Sequence, residues 1–199
     1  HDIAAPELFS SCGTANPATQ VALLDDAGQE VPMGEVGELC ARGPQIRGGY
    51  LGQPELTAET MRGGWLHTGD MARRDERGYL WLVDRKKDMI VSGGFNVYQR
   101  EIEDVLARDS AVAQAAVIGV PHARWGEAVT AVIERRPGAP ASDDELAARL
   151  AALVRERKGG LHVPKQFIFV DTLPRTPVGK IDKKVLRQPY WAGQQRAIG

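Results

Sequence analysis

The sequence predicts an α+β fold, with a small β-rich subdomain over residues 1–84 followed by an α+β domain over 85–199 that has a three-stranded sheet and packed helices. Three observations carry the prediction. Short apolar runs separated by Gly- and Asp-rich turns fill the first 84 residues. Beyond Asp84, helical and strand periodicities mix without strict βαβ alternation. A 43% hydrophobic content over 199 residues supplies cores of ordinary size.

In chain order, strands are expected at 20–24, 39–42 and 79–83, separated by Asp25-Asp26-Ala27-Gly28, Gly48-Gly49, Gly63-Gly64 and Glu76-Arg77-Gly78. Residues 100–109 place Ile102, Val105 and Leu106 on one helical face. Two apolar runs, 113–120 and 128–133, then read as strands. Ser142 and Glu145 form a Ser-x-x-Glu capping box ahead of Leu146, Leu150, Leu153 and Val154, the signature of an amphipathic helix. A strand at 166–170, a rigid loop at 174–179 and a short helix at 183–191 complete the chain. Neither an internal repeat nor a low-complexity segment is present.

With 25 basic and 26 acidic side chains the formal charge is −1, so no bulk attraction to nucleic acid or membrane is expected. No apolar run reaches the roughly 20 residues that span a bilayer, and no charged leader precedes an apolar block at the start. Cys12 and Cys40 lack metal-ligand spacing and read as free thiols of a cytoplasmic protein; no metal ligands are assigned.

Four segments attract attention, each of them a weak signal alone: 37–43 (Gly-Glu-Leu-x-x-Arg-Gly), 64–70 (Gly-Trp-Leu-His-Thr-Gly-Asp), 84–94 (Asp-Arg-Lys-Lys-Asp onward to Ser-Gly-Gly) and 174–180 (Pro-Arg-Thr-Pro-Val-Gly-Lys). After its Thr-Gly turn, Asp70 presents a carboxylate that can accept both hydroxyls of a ribose, or is a solvated turn aspartate. Arg85 ends an apolar run, where a guanidinium fork suits sugar or phosphate oxygens or simply faces water. Lys180 follows a loop stiffened by Pro174 and Pro177, with Gly179 beside it for backbone freedom. Its plain reading is an exposed loop lysine. Residues 155–187 nevertheless hold nine Lys or Arg against three Asp or Glu, so a polyanion is expected nearby. Gly93 and Gly94, lacking Cβ atoms, allow close backbone approach to a ligand or form an ordinary hairpin turn.

Taken in this order and spacing, the segments resemble the superfamily of acyl-CoA synthetases, peptide-synthetase adenylation domains and luciferases over residues 17–191. Residues 84–103, DRKKDMIVSGGFNVYQREIE, look like the acyl-CoA synthetase branch, whose similar members activate fatty or aryl acids. The resemblance implies that Asp70 and Arg85 hold the ribose of ATP and acyl-adenylate, that Lys87 is a hinge, and that Lys180 serves adenylation. It also implies that Gly93 and Gly94 border the pantetheine tunnel, with Lys165 contacting CoA, and that the second domain is a mobile lid. ATP, CoA and Mg2+ are the implied cofactors and a small carboxylic acid the implied substrate. Gln99 stands where relatives often have Pro, and Asn96 where some have a basic or aromatic residue. No Ser/Thr/Gly-rich phosphate loop precedes Gly37, so the chain is expected to be the C-terminal part of an enzyme, inactive alone, with the N-terminal domain as its packing partner. Two alternatives stand beside this: a peptide-synthetase-type adenylation domain that passes its acyl group to a carrier protein, and a non-catalytic nucleotide- or CoA-binding module.

Overall fold

A computed structural model describes residues 5–46, 48–138 and 142–193. The chain divides into two compact units, His1–Lys87 and Asp88–Gly199.

In the first unit, β1 (Gln20–Leu24) pairs antiparallel with β2 (Val36–Arg42). A short helix, α1 (Pro54–Thr60), leads into β3 (Met61–Arg62), the two-residue Gly63-Gly64 turn and the long β4 (Trp65–Arg74). β4 is the spine of this sheet: β2 lies along one edge, while β3 and β5 (Leu80–Arg85) share the other. Period-two alternation along β1 splits the core between the two faces. Leu23 packs with Ala72 and Leu80 on one face, whereas Ala22 and Leu24 meet Cys40 and Trp65 on the other. The sequence places Asp70 after a turn, yet it lies inside β4, where an irregularity in the pairing supplies the bend instead.

The second unit begins with the hairpin β6 (Ile90–Ser92) and β7 (Phe95–Val97), then α2 (Gln99–Leu106), β8 (Val112–His122) and β9 (Gly126–Arg135). α3 (Asp143–Lys158) crosses to β10 (Gln166–Val170), which pairs parallel to β9, and α4 (Lys183–Arg187) follows. The three strands expected from the sequence are β8, β9 and β10. The sheet has five, because Gly93 and Gly94 at φ +60° and +84° make a two-residue reverse turn that pairs β6 with β7 and docks them at the Gly126 end of β9. α4 is shorter than the 183–191 expected, although the turns beyond it continue to Trp191, whose indole N–H donates to the Gly119 carbonyl at 3.0 Å.

Alternation in β8 and β9 again divides the core. Val117, Val129, Ala131 and Ile133 face α2 and α3, burying Ile102, Leu106, Leu146, Leu150 and Val154. Ala116, Ile118, Val120, Ala128 and Val132 face the other way, against Leu173, Ile181 and Leu186. The loop that carries Lys180 therefore sits on the sheet face opposite α2 and α3. The Ser142 capping box forms in full: its hydroxyl accepts the Glu145 N–H, and the Glu145 carboxylate accepts the Ser142 N–H.

Candidate active site

In the first unit the pairing of β2 with β4 slips. Glu38 faces Met71 while Cys40 faces His67, so Leu39 alone lies opposite Thr68-Gly69-Asp70. The extra residues are tied down locally: the Thr68 hydroxyl donates to the Leu39 carbonyl at 2.7 Å and accepts the Asp70 N–H at 3.1 Å. Gly69 takes φ +73°, a conformation costly for other residues. Asp70 is then the register partner of Arg85 on β5, and its Oδ1 meets Arg85 Nε at 2.6 Å. The Asp70 side chain is 25% exposed and that of Arg85 58%. Among the described residues no other protein group engages Asp70 Oδ2 or the remaining guanidinium nitrogens. A carboxylate acceptor and a fork of donors thus stand side by side at the surface, a combination that fits a vicinal diol.

Behind this pair lies Glu38, a buried carboxylate in the 37–43 segment to which sequence reading gave no role of its own. It accepts His67 Nδ1 at 3.0 Å, Lys86 Nζ at 3.1 Å and the Gly69 N–H at 3.2 Å. Burial pushes the Glu38 carboxyl up, but the hydrogen bonds from His67 and Lys86 outweigh it and hold the group below its ordinary value. Cys40 Sγ lies 3.4 Å from His67 Nδ1, and burial, joined by the Glu38 charge, pushes its thiol up to about 11. Glu38, Cys40 and His67 bring ligand-type atoms within 4.8 Å of one another. The ammonium of Lys86 and, at 3.8 Å, the guanidinium of Arg62 also meet the carboxylate there.

In the second unit Lys180 sits on a hairpin closed at several points. Thr176 N–H donates to the Lys180 carbonyl at 2.7 Å, Asp182 N–H to the Pro174 carbonyl at 2.8 Å, and the Arg175 guanidinium to the Gly179 carbonyl and Gln114 Oε1 at 3.0 and 2.9 Å. The Lys180 side chain is exposed, and its ammonium meets no partner among the described residues. Directly after it, Asp182 caps α4, and Lys183 reaches Glu103 at 2.7 Å and Gln99 at 2.9 Å.

Gly93 and Lys165 come together on Trp125, a residue sequence reading missed. The Gly93 N–H donates to the Trp125 carbonyl at 2.9 Å, and Lys165 Nζ stands 4.7 Å above the indole centroid, within cation–π range. His122 stacks on the same ring at 4.4 Å between centroids. Gly94 completes the hairpin turn beside Gly93. A lone tryptophan in a polar turn between two apolar runs is the signal that points to it. Lys87 lies exposed in a 3-10 turn, Lys86–Asp88.

Comparison with known proteins gives these residues a setting. Residues 2–51 match the AMP-binding enzyme family model, and residues 101–180 match the AMP-binding enzyme C-terminal domain. A medium/long-chain-fatty-acid–CoA ligase of Mycobacterium tuberculosis is 49% identical over 194 residues, covering 96% of this chain and 34% of the relative. A long-chain-fatty-acid–CoA ligase of Salmonella typhimurium is 46% identical over 177 residues, covering 89% and 31%. The chain thus spans about a third of the length of the curated relatives it matches. Among solved structures, o-succinylbenzoate CoA synthetase from Bacillus subtilis, in complex with its acyl-adenylate intermediate, is 31% identical with a TM-score of 0.80, over 92% of this chain and 36% of that one. Two family matches, one at each end, and ligase relatives along nearly the whole sequence place this chain in the AMP-binding, adenylate-forming enzyme family.

Proposed function

We propose that this chain is the C-terminal part of an ATP-dependent acid–CoA ligase that joins a fatty or aryl carboxylate to AMP, releases diphosphate, and then exchanges AMP for the sulfur of CoA. The observation that supports this most is the Asp70–Arg85 pair, with acceptor and donors exposed together on adjacent strands as a nucleotide ribose requires. In this reading Lys180 supplies one ammonium to the carboxylate and α-phosphate as their charge shifts, an electrostatic role that needs no proton transfer. Gly93, Gly94 and Lys165 line the approach of CoA: the reverse turn leaves room for a pantetheine arm, and the Lys165 ammonium, held over Trp125, suits the CoA phosphates. Lys87, the last residue of the first unit, is the hinge of a lid formed by the second unit. Mg2+ accompanies the ATP phosphates, and the enzyme works in the cytoplasm with Cys12 and Cys40 as free thiols. No helix among the described residues is long and apolar enough to cross a membrane.

Because the chain spans about a third of its relatives, residues 1–199 alone are expected to make no acyl-CoA, with the phosphates and the acid both unpositioned. The deciding experiment profiles the full-length enzyme for acid-dependent diphosphate release over fatty acids of graded length and aryl acids, then for acyl transfer to free CoA. Release and transfer with one of these classes is expected. No acid-dependent release from either class overturns the reading.

A second reading is favoured by one comparison: a fatty acid–[acyl-carrier-protein] ligase of Streptomyces coeruleorubidus is 39% identical over 191 residues. Transfer to a holo-carrier protein and none to CoA would select it. High-affinity binding of ATP or CoA by residues 1–199 alone, without turnover by the full-length protein, would select a non-catalytic binding module.

A further inference from the structure

One carboxylate holds both strands that present the Asp70–Arg85 pair. Glu38 lies where the β2–β4 register slips, and its side chain is only 5% exposed. Its Oε1 accepts the N–H of Gly69, the residue before Asp70. Its Oε2 accepts Nζ of Lys86, the residue after Arg85, and Nδ1 of His67, one residue before Thr68. Two of the donors come from β4 and the third from the residue that directly follows β5, the two strands that must stay in register for Asp70 to face Arg85. We propose that Glu38, acting through Lys86 and Gly69, is a positioning residue for nucleotide binding at Asp70 and Arg85; this rests on the functional reading above.

The chemistry of the contacts explains why a carboxylate is needed. Three residues of β4 oppose Leu39 alone, so the ladder leaves Gly69 without a strand partner and Glu38 supplies one. The Lys86 ammonium has two acceptors, Glu38 and, at 2.7 Å, Asp26. Asp26 is exposed on a turn and competes with water for its partner, whereas Glu38 is buried and charge-assisted contacts there are strong. Replacing Glu38 by Gln keeps the shape and an acceptor for Gly69 but removes the charge that draws Lys86 and His67 inward. The loss falls on the spacing of Asp70 from Arg85 rather than on either group itself.

The test measures AMP affinity of the full-length enzyme by calorimetry, beside ATP-dependent, acid-dependent diphosphate release. Glu38→Gln and Lys86→Met are each expected to weaken AMP about tenfold and to raise KM for ATP by a similar factor, with kcat within about threefold. The double variant should be no weaker than Glu38→Gln alone, as for groups that act as a unit. Asp26→Asn should leave all three quantities unchanged. Lys86→Met keeps the test alive should Glu38→Gln fail to fold. Unchanged AMP affinity in Glu38→Gln or Lys86→Met, while Asp70→Ala loses it, overturns the inference. A lower melting temperature with unchanged KM for ATP also overturns it, because that is the mark of a merely structural carboxylate. If AMP binds through Asp70 and Glu38 but no acid drives diphosphate release, the positioning role stands and the ligase reading fails.

Discussion

Lys183→Met removes the contact that anchors the C-terminal side of the Lys180 hairpin, and its cost follows from the geometry. The ammonium meets Glu103 Oε1 at 2.7 Å and Gln99 Oε1 at 2.9 Å, and the Lys183 and Glu103 side chains are 20% and 19% exposed. Glu103 keeps the Val117 N–H at 2.7 Å on the outer edge of β8 in the variant. Gln99 fares worse: it is fully buried, its Nε2 already lacks a partner among the described residues, and it would lose its Oε1 contact too. A hydrogen bond to a charged group contributes about 1.5–3 kcal/mol, and breaking a fully buried pair costs about 3–5 kcal/mol. Water reaches a fifth of each side chain here, so about 2 kcal/mol is expected, or roughly 8 °C in a unit of this size. Arg100→Ala is the control, since its pair with Asp104 spans 4.0 Å with both side chains about two-thirds exposed, and it should cost under about 0.5 kcal/mol. Urea unfolding of residues 1–199 followed by tryptophan fluorescence separates the two, with Trp125 and Trp191 reporting on the second unit. A Lys183→Met loss no larger than that of Arg100→Ala would refute the claim that this network anchors the hairpin.

Two further outcomes are expected. A thiol reagent at pH 8 should label Cys12, which is exposed, and spare buried Cys40, whose thiol at about 11 is only about 0.1% ionised there; labelling of both cysteines in the native state would contradict the Cys40–Glu38 geometry. In the full-length enzyme Lys87→Pro should slow thioester formation more than adenylation, because a hinge must absorb a backbone rotation; equal loss in both half-reactions, measured separately, would remove Lys87 from that role.

The second unit was the more legible in sequence because its periodicities are long and undisturbed. β10 occupies the expected residues, and α3 follows from Ser142, Glu145 and the spacing of Leu146, Leu150 and Val154, with nothing tertiary needed to define them. β4 was hidden, since the Thr-Gly pair at 68–69 imitates a turn; only the two neighbouring strands make Trp65–Arg74 a strand with an irregular step. α1 buries no residue and therefore shows no apolar face to read. β6 and β7, at three residues each, are too short for alternation to register. In the candidate site, Asp70, Arg85 and Lys180 could be singled out by residue type, but each alone reads as readily as a surface residue, and only the resemblance of the ordered segments to adenylate-forming enzymes marks them as candidates. Their supports had no such mark: Glu38 reaches Gly69 and Lys86 across 31 and 48 positions, and Trp125 meets Lys165 across 40, separations that only folding closes.

The most direct test of the account separates the two half-reactions in Lys180→Ala of the full-length enzyme. The side chain is exposed and unpartnered among the described residues, so its loss should change stability by no more than about 0.5 kcal/mol. Removing one electrostatic donor to a transition state commonly costs about 10²–10³ in rate, and acid-dependent diphosphate release should slow by roughly that factor, with substrate binding changed less. Transfer from preformed acyl-adenylate to CoA should survive largely intact. Unaltered diphosphate release, or an equal loss in both half-reactions, would contradict the assignment of Lys180 to adenylation.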